Sequence, residues 1–221
     1  MILCIAGVLD AENLAEVRET MAAGAFENGV LTAGWASRLV KNNEQLSVGP
    51  AVRSLQQTVI DALAANGVFA TAAMPQRFAP PLFARYRPGM SFGLHMDNAV
   101  MGKEQLRSDI SVTVFLSAPE DYDGGELVMD TTGGEMPYKL AAGSAIMYPS
   151  TMLHRVNEVT RGVREVAVTW VQSLVRSAER REVLFDIERV RRAMFERDGK
   201  TAEFDLLHKT VSNLRRMWVE P

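Results

Sequence analysis

The sequence is poor in the features that mark secreted, membrane-bound or nucleic-acid-binding proteins. Its single cysteine, Cys4, excludes an intramolecular disulfide, so we expect a reducing compartment and predict a cytoplasmic location. Cys4 falls in the apolar stretch Met1–Leu9, which lacks the basic start and the length of a secretory signal, and we interpret it as a buried small apolar residue. No apolar run approaches the ~18–20 residues of a membrane span, and we predict no membrane association.

Basic residues are not in excess either. The sequence contains 24 Lys and Arg residues and 27 Asp and Glu residues, which gives a net charge of −3. Proteins that bind a nucleic-acid backbone usually carry a basic excess, so we do not expect a nucleic-acid partner, although a local basic patch stays open. With 221 residues, 47% of them hydrophobic, the chain predicts one principal domain with a sizeable core and an appendage.

The first part of the chain predicts one strand and two helices. Residues 1–9 are typical of a short strand, and Asp10 is typical of a helix cap. A second helix is expected over residues 50–66, beginning at a proline and ending at an Asn-Gly pair. Residues 25–48 mix glycine, asparagine and charge, and predict mainly loop with one short strand at Gly29–Ala33. Both helices carry apolar residues at helical spacing, namely Leu14, Val17 and Met21, then Val52, Leu55, Val59 and Leu63.

After Pro75 the pattern becomes that of short strands separated by turns. In residues 110–116, Ile, Val and Leu alternate with Ser111, Thr113 and Phe115, which is the period of a pleated strand. The other predicted strands are 82–87, 126–129, 136–140, 144–148, 154–159 and 163–174. Many short strands preceded by two helices predict an α+β protein with a mainly β core. We expect a double-stranded β-helix (jelly roll) with the N-terminal helices packed on one sheet.

The last part of the chain predicts a C-terminal helical extension. Apolar residues recur at helical spacing in two stripes, Val183, Ile187, Val190 and Met194, then Phe204, Leu207, Val211, Leu214 and Trp218. Such apolar faces are expected to be buried. They could pack against the β domain or against another subunit, and both alternatives stay open. The chain thus divides into 1–75 with the first strand and supporting helices, 76–174 with the β core, and 175–221 with the extension.

His95, Asp97 and His154 form the most informative pattern. Residues two apart in a strand point to the same face, so His95 and Asp97 can reach one ion, and His154 can complete the site from a neighbouring antiparallel strand. Two imidazoles and one carboxylate leave coordination positions free on a borderline metal, which is typical of non-haem Fe(II) oxygenases. Three protein ligands indicate a catalytic site, because structural sites usually have four.

Arg164 lies ten residues after His154 and offers a guanidinium for a dicarboxylate co-substrate. An isolated H-x-D pair is common, and a lone histidine or arginine is more often a packing or surface residue, so the pattern depends on its order and context. His208, the third histidine, stands in a charged helix without an acidic partner at ligand spacing. We interpret His208 as a surface or packing residue.

Several longer stretches resemble the prolyl-4-hydroxylase-type Fe(II)/2-oxoglutarate dioxygenases. They are R-Y-R-P-G-M-S-F-G-L-H-M-D at 85–97, L-S-A-P-E-D-Y-D-G-G-E-L at 116–127 and Y-P-S-T-M-L-H-R-V-N-E-V-T-R-G-V-R at 148–164. Within that group the chain is most similar to the bacterial PKHD-type, PiuC-like hydroxylases. The likeness covers nearly the whole chain, including K-N-N at 41–43 and W-V-Q-S at 170–173.

The resemblance implies a role for each candidate site residue. His95, Asp97 and His154 would bind one Fe(II) per chain, Arg164 would bind the distal carboxylate of 2-oxoglutarate, and the Tyr86 hydroxyl would be a second contact. The implied reaction uses dioxygen, converts 2-oxoglutarate to succinate by oxidative decarboxylation and hydroxylates an unidentified primary substrate. The resemblance also implies L-ascorbate as auxiliary reductant, an association with iron uptake, and a homodimer formed through the C-terminal helices.

Three rival interpretations stay open at this point. The first is a non-enzymatic iron-responsive binding protein on the same scaffold. The second is a zinc hydrolase, for which no glutamate stands beside a ligand histidine as a paired general base. The third is an oxygenase acting on nucleic acid. The polar segment Asn98–Asp109 follows the H-x-D pair and is interpreted either as a lid over the substrate or as an ordinary exposed loop.

Overall fold

Short strands and five helices make up residues 1–220, the part of the chain that this computed structural model describes. The strands are β1 (Leu3–Ile5), β2 (Phe26–Asn28), β3 (Lys41–Asn42), β4 (Glu44–Leu46), β5 (Pro75–Phe78), β6 (Leu82–Tyr86), β7 (Ser91–His95), β8 (Val100–Met101), β9 (Leu106–Arg107), β10 (Ile110–Phe115), β11 (Tyr122–Gly124), β12 (Leu127–Thr131), β13 (Gly134–Tyr138), β14 (Ala145–Pro149), β15 (His154–Val156), β16 (Val159–Gly162) and β17 (Arg164–Ser173). The helices are α1 (Ala11–Ala23), α2 (Pro50–Ala65), α3 (Gly67–Ala73), α4 (Ala178–Asp198) and α5 (Ala202–Trp218).

Two antiparallel sheets form the body of the fold. The major sheet has the order β1-β14-β10-β17-β6-β4-β2, with β5 also paired to β17, and the minor sheet has the order β13-β12-β15-β7-β3. Two ribbons, β11-β16 and β8-β9, complete the β structure. The prediction of a mainly β, double-stranded β-helix core is confirmed.

The N-terminal helices cover the outer face of the major sheet, as predicted. Met21 of α1 and Leu55 and Leu63 of α2 are buried there, together with Ile110 and Val112 of β10. Burial of one such side chain contributes about 1.5–3 kcal/mol to folding, so this layer is a main source of stability. The alternation in β10 turns its other residues, Ser111 and Thr113 among them, toward the space between the two sheets.

The segment before α2 differs from the prediction. Residues 29–32 form a 3-10 turn rather than a strand, because the Asn28 side chain caps the turn by accepting from the Val30 N–H. The strands of this segment are β2, β3 and β4. Each is only two or three residues long, which is too short to show an alternating pattern in the sequence.

Residues 41–46 cross from one sheet to the other. Strand β3 pairs with β7 of the minor sheet, and β4 pairs with β6 of the major sheet. The outward residues of this crossing segment are fixed by polar contacts, since Asn42 donates to the Gly89 carbonyl and Glu44 accepts from Arg85. Lys41, Asn43 and Gln45 alternate with those residues and line the space between the sheets.

The C-terminal helices form a hairpin beside the end of β17. Leu184 of α4 is buried with Val175 and Met74, and Leu214 and Trp218 of α5 pack against this cluster. The predicted α5 stripe therefore faces the protein. The predicted α4 stripe does not, because the buried residues of α4 are Arg181, Leu184, Phe185 and Glu188.

Two further predictions concern the chain as a whole. Cys4 is exposed, so its predicted burial is wrong; the alternation of edge strand β1 turns Ile5 inward and Cys4 outward. Among the helices of residues 1–220, none combines the length and apolarity required to cross a bilayer. The division at residues 75 and 174 stays a prediction; β5 begins at Pro75 and β17 ends at Ser173, and residue 221 lies outside the described residues.

Candidate active site

A cavity of about 660 Å³ opens between the two sheets. His95, Asp97, His154, Arg164 and Tyr86, the five residues singled out in the sequence, all line it. Strands β7 and β15 of the minor sheet provide the histidines, while β6 and β17 of the major sheet provide Tyr86 and Arg164. The cavity therefore brings together residues that are up to 78 positions apart (Tyr86 to Arg164).

The two histidines and the aspartate converge. His95 and His154 are direct partners in the β7–β15 pairing, and their ring centroids are 4.3 Å apart. Asp97 follows His95 by two residues, and its Oδ2 lies 3.9 Å from the Nε2 of His154. One possible ligand atom from each of the three residues lies within 4.8 Å of the others, which is compact enough for all three to bind one metal ion.

Both imidazoles are oriented by backbone carbonyls. His95 Nδ1 lies 2.8 Å from the Gly93 oxygen, and His154 Nδ1 lies 3.0 Å from the Met152 oxygen. A proton on Nδ1 leaves the lone pair on Nε2, which is then free to bind a metal. Burial and the neighbouring His154 lower the pKa of His95 to about 4, so His95 is neutral at pH 7.

A chain of serine hydroxyls supports Asp97. Ser111 Oγ donates to Asp97 Oδ2 and lies 2.8 Å from Ser150 Oγ, which in turn accepts from Ser108 Oγ at 2.8 Å. Ser111 and Ser150 are buried, so their hydroxyls are held within the fold rather than in solvent. Such contacts fix the direction of a metal-binding carboxylate.

Arg164 is a buried cation without a protein counter-ion. Its side chain is among the largest that are fully buried, with 1% of the residue exposed, and its Nε has no hydrogen-bond partner. No carboxylate of residues 1–220 forms a salt bridge with it. A buried, unpaired charge is costly, so this guanidinium fits an anionic ligand that supplies the missing partner.

Tyr86 lies directly opposite Arg164 in the β6–β17 pairing, and the Arg164 guanidinium carbon is 5.0 Å from the centre of its ring. Burial raises the pKa of Tyr86, while Arg164 and a hydrogen bond with Asn43 act in the opposite direction. Tyr86 is therefore a neutral phenol at pH 7 that can donate its hydroxyl proton. Arg164 and Tyr86 together offer a cation and a donor to one carboxylate.

Sequence reasoning missed four residues that line the same cavity: Lys41, Thr113, Tyr148 and Trp170. The Tyr148 ring meets His154 edge-on at 5.0 Å between centroids, and burial raises the pKa of Tyr148 well above its usual range. One pattern was available for Thr113, because a polar residue on the alternate face of an otherwise apolar strand indicates a polar cavity. Lys41 carries no comparable pattern, since β3 is two residues long.

Comparison with known proteins places the chain in a family. A sequence model of the 2OG-Fe(II) oxygenase superfamily matches residues 81–172, which include all five site residues. The chain is 50% identical over 220 residues to a PKHD-type hydroxylase of Gloeothece citriformis and 52% identical over 222 residues to one of Acaryochloris marina, with 100% of both chains covered in each case. The chain belongs to the PKHD-type hydroxylases. It is an Fe(II)- and 2-oxoglutarate-dependent dioxygenase.

Solved structures agree with this fold. The PKHD-type hydroxylase is similar to a Pseudomonas putida prolyl-4-hydroxylase, with a TM-score of 0.53, 21% identity, and coverage of 78% of this chain and 92% of the other. It is also similar to a Trichoplax adhaerens prolyl hydroxylase that was solved with a hypoxia inducible factor peptide fragment. That match has a TM-score of 0.57, 16% identity, and coverage of 83% and 86%. At these identities the likeness supports the jelly-roll fold alone.

Membership in the family decides against two of the three rival interpretations, and an oxygenase that acts on nucleic acid stays open. Fe(II) and 2-oxoglutarate are the cofactor and co-substrate of the superfamily, and the donor set of two imidazoles and one carboxylate suits Fe(II). An oxygenase is therefore favoured over a non-enzymatic iron-responsive protein and over a zinc hydrolase. The chemistry of this PKHD-type hydroxylase is the hydroxylation of a primary substrate, coupled to decarboxylation of 2-oxoglutarate to succinate.

Proposed function

We propose that His95, Asp97 and His154 bind the Fe(II) of this hydroxylase, and that Arg164 and Tyr86 bind the distal carboxylate of 2-oxoglutarate. The observation that supports this assignment best is the placement of Arg164, a buried guanidinium without a protein counter-ion, in the same cavity as the two histidines and the aspartate. 2-Oxoglutarate has one carboxylate to pair with that cation, and a keto acid at its other end to chelate the metal.

The protein's part in the reaction is to orient the reactants. The Gly93 and Met152 carbonyls contact the Nδ1 atoms of the two imidazoles and so direct each Nε2 toward the metal, and Ser111 holds the Asp97 carboxylate. When bound, Fe(II) supplies the activation of dioxygen that couples loss of carbon dioxide from 2-oxoglutarate to hydroxylation. Arg164 binds the distal carboxylate of 2-oxoglutarate within the buried wall of the cavity, where the dielectric constant is low. The keto acid at the other end then meets the metal in one orientation.

The assignment predicts that Arg164→Met weakens 2-oxoglutarate binding without removing the metal site. Removing one member of a buried ion pair costs about 3–5 kcal/mol, so we expect the dissociation constant for 2-oxoglutarate to rise by a factor of more than ~100. The measurement is an anaerobic titration of the Fe(II) protein with 2-oxoglutarate, following the visible charge-transfer band that chelation of a keto acid produces.

The matched control is Arg161→Met, because Arg161 is exposed and pairs with Asp123 at the surface. This variant should titrate like the wild type. In Asp97→Ala no band should form, because a ligand of the metal is lost. Equal 2-oxoglutarate affinity in Arg164→Met and Arg161→Met would show that Arg164 does not bind the co-substrate.

Residues 98–109 are proposed to form a lid over the substrate in the cavity. They form the β8–β9 hairpin, of which Met101, Glu104 and Leu106 line the cavity, and Arg77 holds the hairpin through a 2.8 Å contact with Glu104. Arg107, Ser108 and Asp109 hydrogen-bond to the body of the protein, whereas the tip of the hairpin is held by this exposed ion pair. The tip is therefore the part suited to opening and closing.

A homodimer through the C-terminal helices is proposed as well. This chain covers the predicted stripe of α4 only in part, since Val183 and Val190 are 43% and 56% exposed and Phe195 nearby is 52% exposed, while Ile187 and Met194 are half-buried. A second copy would remove this apolar stripe from water. Ascorbate as auxiliary reductant, a cytoplasmic location, the absence of a nucleic-acid partner and the association with iron uptake stay predictions.

A further inference from the structure

A second cation, Lys41, lines the cavity and takes no part in the assignments above. It lies on the crossing segment 41–46, and its Nζ stands 5.3 Å from the centre of the Phe92 ring, which itself stacks on His95 with 3.6 Å between ring centroids. Lys41 is therefore separated from a metal-binding histidine by one aromatic ring. The turn at residues 32–37 lies beside it and approaches Asn98, the residue after the H-x-D pair.

The ammonium group of Lys41 is only partly satisfied by the protein. An ammonium has three protons to donate, and Lys41 donates one hydrogen bond, to Thr32 Oγ1 at 3.1 Å. Thr32 is in turn held by Gln45 Oε1 at 2.7 Å, which fixes the direction of that contact. No carboxylate within residues 1–220 forms a salt bridge with Lys41.

The surroundings of Lys41 disfavour its charge when no ligand is bound. Burial lowers the pKa of Lys41 to about 8, and the nearby Asp97 carboxylate offsets this effect only in part. The distal carboxylate of 2-oxoglutarate already has Arg164 as its partner, and its other carboxylate is used in the proposed chelation of the metal. An acidic group from another molecule in the cavity is the remaining way to pair Lys41.

The wall beyond the metal ligands is apolar. It includes Phe78, Leu82, Val168 and Trp170, and the indole Nε1 of Trp170 is buried without a hydrogen-bond partner. This part of the cavity suits the apolar body of a substrate and offers it one donor, whereas Lys41 offers a positive charge.

We infer that Lys41 binds a carboxylate of the primary substrate, and that Phe78, Leu82 and Trp170 contact the apolar part of the same molecule. The inference rests on the proposed function of the site and adds the substrate class, a small carboxylic acid with an apolar side chain. A point charge that is partly desolvated discriminates strongly between a carboxylate and a neutral amide of the same shape.

The test uses two probes of nearly the same shape, N-acetyl-L-leucine, which carries a carboxylate, and N-acetyl-L-leucinamide, which carries a neutral amide. Each is titrated anaerobically into the Fe(II) protein saturated with 2-oxoglutarate, and its dissociation constant is read from the change in the charge-transfer band. A charge-assisted hydrogen bond contributes enough for the wild type to bind the acid about 10- to 100-fold more tightly than the amide. In Lys41→Met the preference should fall to about twofold or less.

Two further variants separate the charge at position 41 from the shape of the lysine and from the overall charge of the protein. Lys41→Arg keeps the positive charge and should retain most of the preference. Lys209→Met removes a lysine that is exposed on α5, outside the cavity, and should leave the preference unchanged. Loss of the preference in Lys41→Met alone supports the inference.

Equal effects of acid and amide on the wild type, including no effect of either, would overturn the assignment of Lys41, as would a preference that survives in Lys41→Met. These outcomes are distinct from failure of the proposed function. If 2-oxoglutarate produces no band in the wild type, the roles proposed for the metal ligands and for Arg164 are contradicted. If the band forms and the probes are not discriminated, only the role of Lys41 fails.

Discussion

The hydroxyl groups behind Asp97 show how a single residue type shapes the site. Ser111 occupies a position of β10 that faces the proposed metal site, and its neighbours along the strand, Ile110 and Val112, face the helices. A valine at position 111 would suit the burial equally well. The hydroxyl there provides a donor to a carboxylate that otherwise has few partners within the protein.

We therefore predict that Ser111→Ala weakens Fe(II) binding by about 10- to 100-fold, as is typical when a hydrogen bond behind a metal ligand is lost. The measurement is the dissociation constant of Fe(II), or of Co(II) as a spectroscopic probe, in an anaerobic titration. Ser54→Ala, on the exposed face of α2, is the matched control and should bind the metal like the wild type. Unchanged affinity in Ser111→Ala would show that the serine does not orient Asp97.

The residues proposed for the active site could be identified from the sequence because their chemistry and their spacing coincide. His95, Asp97, His154 and Arg164 belong to motifs of fixed order, and the structure brings all four to one cavity. Lys41 could not be identified as a site residue in this way. Its importance depends on the pairing of a two-residue strand with β7, a tertiary contact that leaves no periodicity in the sequence.

Asn66 shows how one side chain can separate two elements. It ends α2, with its backbone N–H bonded to the carbonyls of Ala62 and Leu63, and its Oδ1 accepts from the N–H groups of Val68 and Phe69 to begin α3. The sequence predicted the end of α2 at this residue. It did not predict α3, because Asn-Gly is the pattern of a helix end and the seven residues that follow are too few for a stripe.

We predict that Asn66→Ala lowers the free energy of unfolding by about 1 kcal/mol, the usual effect of removing a helix N-cap. Urea unfolding followed by circular dichroism measures this change. Asn66→Ser should retain most of the stability, because a serine hydroxyl can accept from the same N–H groups. Stability in Asn66→Ala equal to that of the wild type would mean that the cap of α3 contributes nothing.

Helix α4 shows where apolar periodicity misleads. Its inward face includes Arg181 and Glu188, whose charges are satisfied locally: Arg181 donates to the Val175 and Arg176 carbonyls, and Glu188 accepts from Arg191 and Arg192. A rule that counts apolar residues assigns such positions to the surface. The Val183–Met194 stripe, for which the sequence left both the β domain and another subunit open as cover, keeps Val183 and Val190 exposed on this chain.

At the scale of the whole molecule, the exposed α4 stripe bears on assembly. We predict that the protein is a dimer and that Val190→Glu makes it monomeric, because a charge at the centre of an apolar contact would be desolvated without a partner. Light scattering with size-exclusion chromatography measures the mass, which should change from about twice to about once the 24.4 kDa of one chain.

Val48→Glu is the control for this experiment, since Val48 is also an exposed valine, at 62%, but lies between β4 and α2, away from the helical hairpin. It should remain dimeric. A wild-type protein with the mass of one chain, or a dimer that persists in Val190→Glu, contradicts the proposed interface.

The crossing segment limits how a substrate reaches the iron. Asn43 is the one residue between β3, which is bonded to the minor sheet, and β4, which is bonded to the major sheet. An extended residue covers about 3.3 Å, so the two walls cannot spread apart on this side without breaking β pairing. Reactants and products must then enter and leave by a part of the rim where this segment does not join the two walls.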